Sequence, residues 1–311
     1  MYSRNELGVA EDGVPRSTSP PRGEAAATVV PRILLALGPR DCNRACLLRV
    51  FDVARAYDAV VDVVRVVPRR SGWRAWVPKP ISRWLDARRQ ERARAILRAT
   101  RYWLAGAYEA EPPAGHVVVR SGDFVREVAS HSSTRQPTLI VVPPDLRRLG
   151  SVATRLALVS RRRVLVARPP CRSRTILAAS DLVTLGFPVL QEAARLVTVL
   201  RMALVSFHNF NPLAAGVDDD DKQRRPQRPT DATQRLNGAL EGLSTPGAGA
   251  AIRTGVDASS AIVDEARDRQ VDLVIVGVRQ RSLLERWIFG SVPAKVAKRA
   301  NCSVLIAPLA S

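Results

Sequence analysis

Residues 273–307 read LVIVGVRQRSLLERWIFGSVPAKVAKRANCSVLIA. The apolar run Leu273 to Val276 ends on Gly277, and twelve mostly polar or bulky residues follow. Gly290-Ser291 then opens a helix, and a second apolar run, Val304 to Ala307, closes the stretch. Strand, glycine-containing loop, helix and strand is the order that brings backbone N–H groups and a helix N-terminus to one place, where a phosphate can sit.

The same stretch occurs twice. Gly150-Ser151-Val152 through Ala167 aligns without a gap to Gly290-Ser291-Val292 through Ala307, and Leu139 to Val142 answers Leu273 to Val276. ILLALG at 33–38 is likewise echoed by ILAASD at 176–181. A repeat this long marks a duplicated domain rather than a solenoid, and each half has the length of an ordinary domain.

On these residues the chain resembles the universal stress protein family, whose ATP-binding members carry Gly-x2-Gly-x9-Gly-Ser/Thr at this place. Gly277, Gly290 and Ser291 match the pattern, and Gln280 stands where its second glycine falls. The resemblance is specific over 174–308 and clear in layout but degenerate in motif over 31–168. It implies two tandem Rossmann-like (adenine nucleotide alpha hydrolase-like) α/β domains, each a five-stranded, mainly parallel sheet. It also implies pairing of the halves through their last strands, 164–167 and 304–307, as an internal pseudo-dimer, with a homodimer as a further option. The implied role is in stress response or dormancy through binding, with at most slow ATP hydrolysis.

Composition agrees with such a fold: 46% hydrophobic residues with 5% aromatics suit Ala/Val/Leu-rich α/β layers. The net charge of +19, carried almost wholly by Arg, favours anionic partners, although a general bias toward Arg codons accounts for it equally well. Cys42, Cys46, Cys171 and Cys302 have no metal-ligand spacing, and Cys302, at the start of a strand, reads as a packed thiol. No apolar core follows a basic start and no run of eighteen apolar residues occurs, which points to a cytoplasmic protein.

Residues 1–30, rich in Pro, Gly, Ser, Arg and Glu without periodicity, read as a disordered tail. The first domain then reads strand 32–37, helix 42–57, strand 60–67, a long helix over 81–108, strand 116–120, helix 123–133, strand 138–142, helix 151–160 and strand 164–167. A Pro-rich link at 169–173 leads to strand 174–180, helix 186–199, strand 202–208, helix 231–243, strand 250–254 and helix 257–269. Continuous Val/Ile/Leu strands alternating with helices predict a doubly wound parallel sheet, with ligands at the carboxyl ends of the strands. An insertion at 209–230 contains Asp218 to Asp221; without turn glycines it reads as a solvated loop rather than a cation site.

The resemblance makes the second half the candidate adenine-nucleotide site. Asp181 ends its first strand, where the family has a carboxylate that contacts the nucleotide; a helix-cap or turn role suits Asp equally. Asn209, just after the second strand, matches a position that contacts adenine through the main chain. Gly277, Arg279, Gln280, Arg281, Gly290, Ser291 and Val292 complete the set, and Arg279, Arg281 and Arg286 offer guanidinium groups to phosphate. Ser291 ahead of Val292-Pro293 is equally what a helix N-terminus wants for capping. In the first half, Gly38 replaces Asp181, Pro143 replaces Gly277, and the loop to Gly150 is six residues shorter, so ATP is expected in the second half only. Nothing in the sequence speaks to Mg2+.

No constellation for catalysis appears: His116, His131 and His208 fall in or beside different elements. Residues 65–101 interleave twelve Lys/Arg with Trp73, Trp76 and Trp84, a pattern that can lie on anionic membrane or stack on nucleic-acid bases. The buried stripe of a crossover helix explains most of those positions as well. Three readings stay open from sequence: an ATP-responsive regulator, a nucleotide-free interaction scaffold, and a binder of anionic polymer or membrane through 65–101.

Overall fold

The computed structural model describes residues 30–39, 44–68, 115–146, 148–171, 173–183, 187–212, 226–243, 245, 247–279 and 291–309, with isolated positions between 91 and 99. The tail before residue 30, all but those isolated positions of the long helix over 81–108 and of the basic-aromatic segment beyond residue 68, Asp218 to Asp221, and Gln280, Arg281, Arg286 and Gly290 lie outside the described residues.

Within them the first half runs β1 (Arg32–Leu37), α1 (Arg44–Ala56), β2 (Val60–Val67), β3 (Val117–Ser121), α2 (Phe124–Arg135), β4 (Leu139–Val142), α3 (Leu149–Ser160) and β5 (Arg163–Val166). The second half runs β6 (Thr175–Ala179), α4 (Pro188–Leu200), β7 (Ala203–Phe210), α5 (Pro229–Gly242), β8 (Gly249–Thr254), α6 (Ala258–Asp268), β9 (Leu273–Val278), α7 (Ser291–Arg299) and β10 (Ser303–Pro308). The halves do not form two separate sheets. One ten-stranded sheet has the order β3-β2-β1-β4-β5-β10-β9-β6-β7-β8. Every neighbouring pair is parallel except β5 and β10, which run antiparallel.

That one antiparallel pair carries the symmetry of the molecule. Its register sets Val304 against Val166, Leu305 against Leu165 and Ile306 against Val164. Leu165 and Leu305 are equivalent in the repeat, so a pseudo-twofold axis passes between them.

Alternate strand residues face opposite layers, and both layers are apolar, as fully covered parallel strands require. Ile33, Leu35, Leu165, Ile275 and Leu305 pack under α1, α4 and α5. Leu34, Ile140, Val164, Val274 and Ile306 pack under α2, α3, α6 and α7. Across the axis α1 meets α4 on one face, and α3 meets α7 on the other. Gly150 makes the second contact close: a Cβ there would lie 2.0 Å from the Ala294 carbonyl oxygen, so only glycine fits.

Candidate functional site

Each half has the strand order 3-2-1-4-5 read from its outer edge. Successive crossovers therefore diverge between β1 and β4, and again between β6 and β9. Ligands of open α/β sheets bind in the crevice at the carboxyl side of such a divergence.

In the second half that crevice brings together two candidates 98 residues apart. Asp181 follows β6 and Arg279 follows β9, and Arg279 Nη2 donates to Asp181 Oδ2 at 3.5 Å. The other carboxylate oxygen, Oδ1, accepts from the Val183 N–H at 3.1 Å, closing a turn. Asp181 keeps 53% of its side-chain surface exposed and Arg279 31%. A solvated pair at this distance contributes little and is readily exchanged for a ligand.

One strand further out, His208 lies buried in β7 with Nδ1 2.9 Å from the Ser180 carbonyl oxygen. A carbonyl can only accept, so Nδ1 carries the proton. Burial lowers the imidazole pKa, outweighing the Ser180 carbonyl and Asp181, which raise it. His208 is thus a neutral tie holding the backbone just ahead of Asp181. Ser180 adds a second tie, its Oγ accepting from Leu182 N–H at 3.2 Å.

Asn209 lies inside β7, which continues to Phe210, rather than just after the strand. Its Nδ2 donates to the Gly255 carbonyl at 2.8 Å, fastening the turn between β8 and α6. The side-chain oxygen, Oδ1, is buried and has no protein partner among the described residues.

Gly277 sits near the end of β9. A Cβ there would stand 2.7 Å from Leu309 Cδ1 and 2.9 Å from Val189 Cγ2, so a larger residue would have to push aside side chains of α4 and of the segment after β10. Ser291 begins α7, with Pro293 in its first turn, and Val292 packs partly buried against the core. In the first half the equivalent Ser151 lies within α3 and donates to the Arg148 carbonyl at 3.0 Å. Gln280, Arg281 and Gly290 lie outside the described residues.

The crevice of the first half is different. A Cβ on Gly38, after β1, would stand 3.0 Å from Leu146 Cδ2. An apolar side chain therefore covers the place that Asp181 holds in the second half, and Pro143 and Pro144 follow β4. The neutral His208 and the unpartnered oxygen of Asn209 were not foreseen as site features. Both depend on contacts across strands, for which the sequence has no local signal.

Among the described residues no group of three or more His, Cys, Asp or Glu could hold a metal ion, and no helix is long and apolar enough to cross a membrane. No match is found among curated proteins. Solved structures with the same fold include a universal stress protein from Archaeoglobus fulgidus DSM 4304, at 16% identity and TM-score 0.63, covering 89% of this chain and 96% of its own. A putative universal stress protein from Pseudomonas aeruginosa UCBPP-PA14 matches at 15% identity and TM-score 0.53, over 90% of this chain and 94% of its own. A functionally unknown protein from Pseudomonas aeruginosa PAO1 matches at 13% identity and TM-score 0.54, over 90% and 93%. The family model for universal stress proteins matches twice, over residues 30–168 and 172–308. The chain therefore belongs to the universal stress protein family, as a tandem member with two copies of its α/β fold.

Proposed function

We propose that the chain is a stress-response regulator that acts by binding one adenine nucleotide in its second half, without turning over a metabolite. The observation that carries this reading is the difference between the two crevices. Between β6 and β9 stands a solvated Asp181–Arg279 pair; between β1 and β4 stands Leu146 over Gly38. A carboxylate accepts from ribose hydroxyls or an adenine amine, and a guanidinium meets phosphate. The unpartnered Oδ1 of Asn209, at the same end of the sheet, supplies a further acceptor.

Calorimetric titration with ATP, with and without Mg2+, tests the reading. One nucleotide per chain is expected, weakened roughly tenfold by Asp181→Ala through loss of a charged hydrogen bond. Two equivalent sites, or binding indifferent to that change, overturn it. Gln280→Gly is expected to strengthen binding, since glycine relieves any cost of a left-handed backbone or of crowding against phosphate.

A nucleotide-free scaffold is the second reading, and one observation favours it. The glycine at 277 has a reason in packing alone, the nearness of the Leu309 and Val189 side chains, that involves no nucleotide. Absence of nucleotide both from the purified protein and from the titration would select the scaffold.

A further inference from the structure

Because β10 runs antiparallel to β5, the segment Ala307–Leu309 lies beside the turn that enters β5, and α4 covers the opening between them. The result is a cleft of about 420 Å³ between the two halves. Its volume lies within the range of small-molecule sites.

The lining of this cleft is strongly cationic. Arg161 and Arg162 contribute from the turn, Arg163 from the first position of β5 and Arg195 from α4, while Glu192 is the single carboxylate among the described lining residues. Glu192 is committed, its Oε1 lying 2.9 Å from Arg163 Nη1, and it is only 8% exposed. Arg162 is held by the side chain of Gln136. Arg161 and Arg195 are exposed and make no close ion pair among the described residues, although the charge of Arg195 also acts on Glu192. Four guanidinium groups against one carboxylate leave a surplus of three, and guanidinium forks match phosphate oxygens in pairs.

General basicity of the chain does not explain this, because the pseudo-twofold axis provides an internal control. Counted from the equivalent strands at 33–38 and 176–181, Glu192 corresponds to Arg49; by the gap-free repeat, Arg163 corresponds to Ser303. On that side Arg49 is buried, with Asp272 acting on it as the leading favourable charge. Ser303 is bonded there to the Arg168 backbone at 3.1 Å. Cation and carboxylate are matched on that side, and the surplus exists on one side only.

We infer that the cleft between α4 and the Arg161–Arg163 turn binds a small polyphosphate, at a site separate from the crevice of Asp181 and Arg279. The same chemistry is offered by free inorganic polyphosphate and by a nucleotide's phosphate tail. The test is a calorimetric titration of the full chain with sodium tripolyphosphate at low and at physiological salt. One saturable site per chain is expected. The exposed double variant Arg161→Gln/Arg195→Gln should weaken it roughly tenfold or more, since two charged contacts are lost. Asp181→Ala should leave it unchanged, as should Arg126→Gln/Arg155→Gln, which removes the same charge from exposed positions on α2 and α3. Failure to saturate overturns the inference, and so does equal loss in the control double variant, or loss with Asp181→Ala. Displacement of tripolyphosphate by ATP in the wild type, as a second and weaker nucleotide event insensitive to Asp181→Ala, marks the nucleotide tail as the natural source; lack of displacement marks the free polyphosphate.

Discussion

Arg168 leaves β5 and turns its guanidinium into the other half of the molecule. Nη2 donates to the Ala297 carbonyl at 2.6 Å, in the last turn of α7, and Nη1 to the Cys302 carbonyl at 3.1 Å, in the link from α7 to β10. A cation at a helix C-terminus satisfies carbonyls that have no intrahelical partner and opposes the negative end of the dipole. Arg168→Met should cost about 2–4 kcal/mol in urea unfolding, because two buried carbonyls lose charged donors. Nothing local distinguishes Arg168 among 48 Lys and Arg residues, so its role was not legible in sequence. Cys302 was legible: it is 3% exposed, and burial pushes its thiol up to about 11. The two buried histidines give a pH prediction. Burial lowers His208 and His131 below the ordinary 6.5, so the unfolded chain takes up their protons first. Their contribution is complete above pH 6.5 and is lost as pH falls below it toward the folded values. The urea midpoint should therefore drop between pH 7 and pH 5, and His208→Gln should flatten part of that slope.

Helices and strands were largely readable because their signals are local. Continuous apolar runs placed every strand of the second half within two residues of its observed ends, and the pattern of α6 gave its start at the Asp257 cap. That cap accepts from the Ser259 hydroxyl at 2.7 Å and the Ser260 hydroxyl at 2.8 Å. Those bonds to the charged form hold the Asp257 carboxyl down at about 2. Asp257→Ala should cost about 1 kcal/mol of stability at neutral pH, the usual worth of an N-cap. The wild-type advantage should fade below pH 4 as the cap protonates, so the two proteins converge in acid. Gly150 shows what local reading misses. It reads as part of a helix-opening Gly-Ser pair, yet its glycine is required by the helix packed across from it. Gly150→Ala would drive a methyl into the Ala294 carbonyl, and thermal unfolding should report a loss of about 2 kcal/mol or more, the scale of an overpacked core. The candidate site was legible only in part for the same reason. Asp181 and Arg279 were each foreseen, but their pairing follows from β6 and β9 being neighbours, which strand order alone decides.

At the scale of the whole molecule, the duplication and the sheet are one fact. A repeat that keeps Leu165 and Leu305 equivalent can pair its last strands antiparallel only in a register with its own twofold symmetry, and the observed register, centred on those two leucines, has it. The same register is open to two copies of one half. Removing residues before 172 would leave β10 as an exposed edge of Val304, Leu305 and Ile306, apolar and with unpaired backbone donors and acceptors. A second copy can restore each contact, with Leu305 against Leu305 and Val304 against Ile306. Residues 172–309 expressed alone should therefore sediment as a dimer at micromolar concentration. Leu305→Lys in that fragment should shift it to monomer while circular dichroism stays α/β. The intact chain should not share that edge, since β5 already occupies it. A monomeric fragment with native circular dichroism would show instead that the edge is not self-complementary and that contacts specific to this pair of halves, Arg168 to α7 and Gly150 to Ala294, hold the junction.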